Sequence, residues 1–162
     1  MAGDDFLGTD LDLGFVADEE GRVHVGPASR VDLQARVRED VTPREVDLGV
    51  VGGRANLVQS LLLRLSTERG ELGPLGHPDY GTRHLALVGE PNTETNRNLL
   101  KLYVLEALRQ EPRLERIDRV DVRPAPGRED RDKVDVEIVV QARRLPGPLS
   151  LVVPFSFEGP LP

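Results

Sequence analysis

Residues 133–157 read KVDVEIVVQARRLPGPLSLVVPFSF. Val134, Val136, Ile138, Val140 and Ala142 alternate with Asp135, Glu137 and Gln141, the period-two signature of a strand with one buried face. Leu149, Leu151, Val153, Phe155 and Phe157 repeat the pattern, and Arg144-Leu145-Pro146-Gly147-Pro148 between them reads as a hairpin loop. Pro154 has no N–H to give to a ladder, which puts the last strand at a sheet edge. A weaker strand over 117–122 precedes a loop of Arg, Asp, Pro and Gly at 124–133. The C-terminal third is therefore predicted to be an antiparallel sheet.

Working back toward the N-terminus, the period changes. Over 55–69, Leu57, Val58, Leu61, Leu62 and Leu65 fall on one face of a helix, with Gln59, Ser60 and Arg64 expected to turn away and Gly70 to stop it. Residues 71–84 hold Gly73, Pro74, Gly76, Pro78 and Gly81, which excludes regular helix or sheet. A second helix is predicted from Asn92-Thr93 to Gln110, with Leu100, Tyr103, Val104, Ala107 and Leu108 as its core face. Leu102 and Leu105 lie on the opposite side, so that face is buried either within the fold or against a partner. Further upstream, 11–16 and 22–25 read as a hairpin, and 31–37 and 46–51 as a second extended pair ending at Gly52-Gly53. The fold class is α+β: two helices packed on a C-terminal antiparallel sheet, with a β-rich N-terminal arm. The organisation read from these changes is an acidic leader at 1–10, the arm at 11–53 and an α+β domain at 54–162.

The chain of 162 residues carries 21 Lys+Arg against 28 Asp+Glu, a net charge of −7. Seven acids and no Lys or Arg fall in the first 20 residues, so the remainder is neutral and has no basic block for phosphate contacts. No nucleic-acid partner is expected. The absence of cysteine excludes disulfides, thiol catalysis and Cys-based metal sites. No apolar run is long enough to cross a membrane, and the acidic N-terminus lacks the pattern of an export signal, so a cytoplasmic site of synthesis and no membrane insertion are expected.

Glu68, Glu71 and Asp79 could be imagined as a glycosidase carboxylate set, but Arg69 and Arg83 beside them favour paired, structural charges. His77, Asp79 and His84 match no metal-ligand spacing, and His24 stands alone in a predicted strand. GxSxG, Walker and GxGxxG motifs are absent, so neither catalysis nor a cofactor or metal is expected. Glu111-Pro112-Arg113 follows the second helix directly. Pro112 fixes φ and stops the helix, and Glu111 and Arg113 are expected to splay from a rigid corner.

In order, Asn56-Leu57-Val58-Gln59-Ser60, the run from Arg64 to Leu72, Leu75-Gly76-His77-Pro78-Asp79-Tyr80-Gly81, Leu87-Val88-Gly89-Glu90-Pro91-Asn92 and the Glu111-Pro112-Arg113 corner resemble the baseplate assembly protein W family. This is the small wedge protein and sheath initiator of contractile phage tails, with counterparts in type VI secretion and extracellular contractile injection systems. The resemblance spans about 54–122. It implies a structural, non-enzymatic component of a phage-tail-like baseplate, assembled in the cytoplasm, that binds wedge scaffold proteins and sheath subunits, with inner tube or hub proteins as further partners. It assigns Glu111, Pro112 and Arg113 to the wedge scaffold, and Arg113→Glu is then expected to block incorporation while leaving the fold intact. It assigns Val134, Val136, Ile138, Val140, Leu151, Val153 and Phe155 to docking of sheath strands by strand addition, with Leu102 and Leu105 as a further partner face. Two alternatives stay open: a lysozyme-like, peptidoglycan-cleaving enzyme using Glu68 or Glu71, and an adaptor that binds one peptide strand outside any particle.

Overall fold

The computed structural model describes residues 5–17, 23–24, 33–37, 46–125 and 131–158. A 3-10 turn at Asp5–Leu7 leads into β1 (Thr9–Leu11), followed by β2 (Val16–Ala17), β3 (Val23–His24), β4 (Ala35–Val37), β5 (Val46–Leu48) and β6 (Val50–Gly52). Helix α1 (Gly53–Ser66) and helix α2 (Glu94–Arg109) flank an ordered loop, and β7 (Leu114–Pro124), β8 (Lys133–Ala142) and β9 (Leu149–Ser156) complete the chain. The strand order of the main sheet is β2-β3-β9-β8-β7, and β1-β6 and β4-β5 form two separate antiparallel ribbons. The α+β class and the three C-terminal antiparallel strands agree with the sequence pattern.

The alternation over 134–142 does what the period dictates. Val134, Val136, Ile138 and Val140 pack inward at 3% exposure or less, while Asp135, Glu137 and Gln141 face out. Leu57, Leu61 and Leu62 of α1 and Leu100, Val104 and Leu108 of α2 close the other side of this core. Thr93 caps α2 by accepting the Asn96 N–H at 3.2 Å, and Arg109 sits in the last turn, where a cation is favourable. Helix α1 ends earlier than Gly70: the Thr67 hydroxyl donates to the Leu63 carbonyl at 2.7 Å and the backbone turns extended there. The following loop is held by a parallel bridge between Glu68 and Thr82. Gly81 makes that closure possible, with φ +100 and its α-carbon so close to Thr67 that a Cβ would lie 2.5 Å from the Thr67 carbonyl oxygen.

Two expectations are corrected. The last strand is not the sheet's edge, because β3 pairs parallel with it at His24↔Val152; the one-point contact leaves Pro154 without a ladder position to fill on that side. Gln59 and Arg64 do not turn to solvent, and both are buried on α1. The Gln59 amide donates to the Leu11 carbonyl at 2.7 Å and accepts the Leu13 N–H at 2.9 Å, so the N-terminal segment covers this face of α1. Parts of the predicted arm and the loop at 126–130 lie outside the described residues.

Candidate functional site: the corner between α2 and β7

At the end of α2, Gln110 closes the helix and the chain turns through Glu111, Pro112 and Arg113 into β7. Glu111 is only 4% exposed. Its Oε1 accepts from Arg113 Nε at 2.7 Å and from the Arg113 backbone N–H at 3.2 Å, and its Oε2 accepts from Arg113 Nη2 at 3.0 Å. Arg64 Nη2 reaches the same oxygen from α1 at 3.5 Å, and its guanidinium lies 4.4 Å above the Tyr80 ring. The acid and the base of the corner therefore close on each other instead of splaying. The reason is electrostatic: a carboxylate this deeply buried needs paired cations to stay charged. Burial opposes the charged form of Glu111, but the hydrogen bonds and charge of Arg113, with Arg64, outweigh it and hold the carboxyl below the usual range. Arg113→Glu would put a second carboxylate against this one, so the expectation that it leaves the fold intact is also corrected.

The outward part of the corner is small. Pro112 is exposed, and the Arg113 side chain retains 19% of its surface. Three of the five guanidinium N–H donors of Arg113 are engaged, two with Glu111 and one with the Leu7 carbonyl at 3.1 Å. Beside the corner, Leu105, Leu108, Leu114 and Ile117 line a groove between α2 and β7 together with the charged side chains of Arg109, Glu111, Glu115, Arg116 and Arg143. Leu105 is half-buried against the core, whereas Leu102 is 47% exposed one turn before it.

The strand residues stand differently. Val134, Val136, Ile138, Val140 and Leu151 are core side chains, and Val153 and Phe155 are half-buried at its margin. β8 is paired with β7 on one side and β9 on the other along its length, so its backbone has no free row of donors and acceptors for an added strand. Among the described residues, β7 is the sheet's long terminal strand. Its ladder with β8 carries two register shifts, and on its face Asp121 meets Arg119, Arg123 and, from α2, Lys101. Bulges and charges of this kind keep an open edge from pairing indiscriminately.

The carboxylates of the 67–87 loop are engaged locally. Glu68 Oε2 accepts the Leu85 N–H at 3.2 Å, Glu71 accepts the Glu68 N–H at 3.2 Å, and Asp79 pairs with Arg69 at 2.7 Å. His77 is exposed, and His84 packs edge-on against Phe155 with its Nδ1 3.6 Å from Glu68. Among the described residues, no group of three His, Asp or Glu side chains is arranged to hold a metal ion, and no helix is long and apolar enough to cross a membrane. Sequence reasoning missed Asn56, Gln59, Arg64 and Leu7 as parts of the corner's support. Their partners lie 46 to 49 residues away in the case of the two amides and Arg64, beyond any local pattern.

No curated protein matches this chain. A crystal structure of a protein named as a candidate tail lysozyme from Geobacter sulfurreducens is similar, at 26% identity and a TM-score of 0.52, over 63% of this chain and 88% of that one. The family described as baseplate wedge protein gp25 matches residues 51–146, which span α1, the corner, β7, β8 and more than half of the chain. The chain belongs to this family of baseplate wedge proteins, the structural components of phage-tail-like assemblies.

Proposed function

We propose that this protein docks on the wedge scaffold of its baseplate through the Glu111-Pro112-Arg113 corner and templates the first ring of sheath by accepting a strand at the outer edge of β7. The observation that carries the reading is the corner's construction. Glu111 neutralises Arg113 from the inside and fixes its plane, so the two uncommitted guanidinium donors form a rigid fork for a carboxylate on the scaffold. The groove beside it sets Leu105, Leu108 and Ile117 among Arg109, Arg116, Arg143 and Glu115, a mixed lining that suits an amphipathic helix bringing both apolar and charged side chains, and Leu102 adds an exposed apolar position on α2. Strand addition at β7 uses the terminal strand, which is held in place by its ladder to β8, whose valines are packed in the core.

The same reading covers the remaining partners: sheath subunits at β7, and inner tube or hub proteins on the side of the N-terminal arm. The organisation into a leader, an arm and a wedge domain is part of it. Co-expression with the scaffold proteins of its own particle tests the corner. Arg113→Lys keeps a charge but removes the planar fork, and copurification is expected to fall to background while the far-ultraviolet spectrum stays that of wild type. Undiminished copurification would overturn the assignment of the corner. The name of the Geobacter relative raises cell-wall cleavage; turnover of purified peptidoglycan abolished by Glu71→Gln would establish that alternative instead.

A further inference from the structure

Residues 5–13 lie outside the span matched by the wedge family, yet they are bound to it as a ligand is bound to a cleft. Leu7 is completely buried, inserted beside α1. Its carbonyl accepts two hydrogen bonds, from Asn56 Nδ2 at 2.8 Å and from Arg113 Nη1 at 3.1 Å. The Gly53 N–H donates to the Gly8 carbonyl at 3.3 Å, β1 pairs with β6 from Thr9↔Gly52 to Leu11↔Val50, and Gln59 holds Leu11 and Leu13. Next to Leu7, the Phe6 ring lies under the Arg144 guanidinium at 4.8 Å, in the loop between β8 and β9. Apart from Leu7 and Phe6, every one of these contacts reads the segment's backbone.

We infer that residues 5–13 are a latch that seats the docking corner: Leu7 anchors the segment, and its carbonyl, shared between Asn56 and Arg113, holds the Arg113 fork in the plane in which it meets the scaffold. Glu111 restrains Arg113 from one side only. The Leu7 carbonyl supplies the restraint on Nη1, the guanidinium nitrogen that Glu111 does not touch. Leu7 and Asn56 are thus positioning residues for Arg113, acting from outside the Glu-Pro-Arg motif. The inference rests on the wedge-docking reading and predicts that opening the latch weakens docking with the motif itself unchanged.

The full chain allows the test, because it contains no cysteine. Leu7→Ala removes the anchor. Thr9→Cys with Gly52→Cys adds a disulfide across a directly paired position, where a Cβ on Gly52 would stand 3.5 Å from the Thr9 hydroxyl oxygen. Amide exchange at Gly53 is expected to accelerate about tenfold or more in Leu7→Ala while α2 amides keep their wild-type rates, the mark of local opening. Copurification with the wedge scaffold is expected to fall in parallel. In the triple variant, oxidation restores docking and reduction abolishes it again. Equal acceleration throughout α2 would overturn the latch as a separate unit, and an opened latch with undiminished docking would overturn its role at the corner. Failure of the docking reading itself shows separately: Arg113→Lys in an otherwise wild-type chain would then copurify normally.

Discussion

Glu111→Ala is the sharpest perturbation the corner offers. The substitution removes an acceptor that takes three hydrogen bonds from Arg113 and faces Arg64, whose side chain is 10% exposed, so two cations lose their counter-charge in a largely dry site. Breaking a buried pair from one side costs about 3–5 kcal/mol, far more than the ~1 kcal/mol of an exposed pair, because the surviving charge keeps its desolvation penalty. For a chain of this length that corresponds to a fall in Tm of about 10 °C. Urea unfolding followed by circular dichroism measures it, with an unchanged m-value as the check that the denatured state is the same. A double-mutant cycle with Arg113→Ala should return a coupling of about 1.5 kcal/mol or more. The acid limb gives a second readout. The Glu111 carboxyl is depressed below its ordinary 4.5, so its contribution is complete above that pH and is lost as pH falls through the lower folded value; Glu111→Ala flattens that limb. Single-variant losses below about 1 kcal/mol with no coupling would refute the account of the corner as a buried, interlocked group.

The other expectations concern the loop and the outward surface. Gly81→Ala should destabilise by about 3 kcal/mol or more in urea titrations, since the new Cβ meets the Thr67 carbonyl at 2.5 Å, whereas Gly76→Ala, with open space around it, should cost only the left-handed backbone penalty of about 1–2 kcal/mol. Burial holds His84 below its usual 6.5 despite the pull of Glu68, so its contribution is present above 6.5 and erodes as pH falls toward the folded value. The wild-type urea midpoint should therefore drop between about pH 7.5 and about pH 5.5 by more than that of His84→Phe, which keeps a ring but cannot titrate. Leu102→Glu should leave stability within about 0.5 kcal/mol of wild type, as befits a half-exposed position, while reducing recovery of the chain in assembled particles.

What the sequence makes legible is what local periodicity controls. The alternation from Val134 to Ala142, the start of the second one at Leu149 and Leu151, the core face of α2 and the Thr93 cap all report on neighbours within a few residues, and the structure follows them. Beyond Leu151 the second alternation lapses, with Val153 and Phe155 half-buried and Ser156 buried. The polar side of α1 was not legible for the opposite reason. Gln59 and Arg64 have the side chains of a solvated face, and only the arrival of Leu11, Leu13 and Glu111 from distant segments turns them inward. Pro154 misled in the same way: its missing N–H is compatible with a covered edge as long as the covering strand pairs two residues earlier, at Val152. The motif Glu111-Pro112-Arg113 was visible as a corner, but its inward-closed geometry depends on Arg64, Tyr80 and Leu7, none of them adjacent in the chain.

The most direct measurement of the central claim is electron microscopy of particles purified from cells that lack this chain, complemented with wild type or with Arg113→Lys. The account predicts that sheathed particles disappear without the chain, return with wild type and fail to return with Arg113→Lys. Normal sheathed particles in the absence of the chain would contradict it.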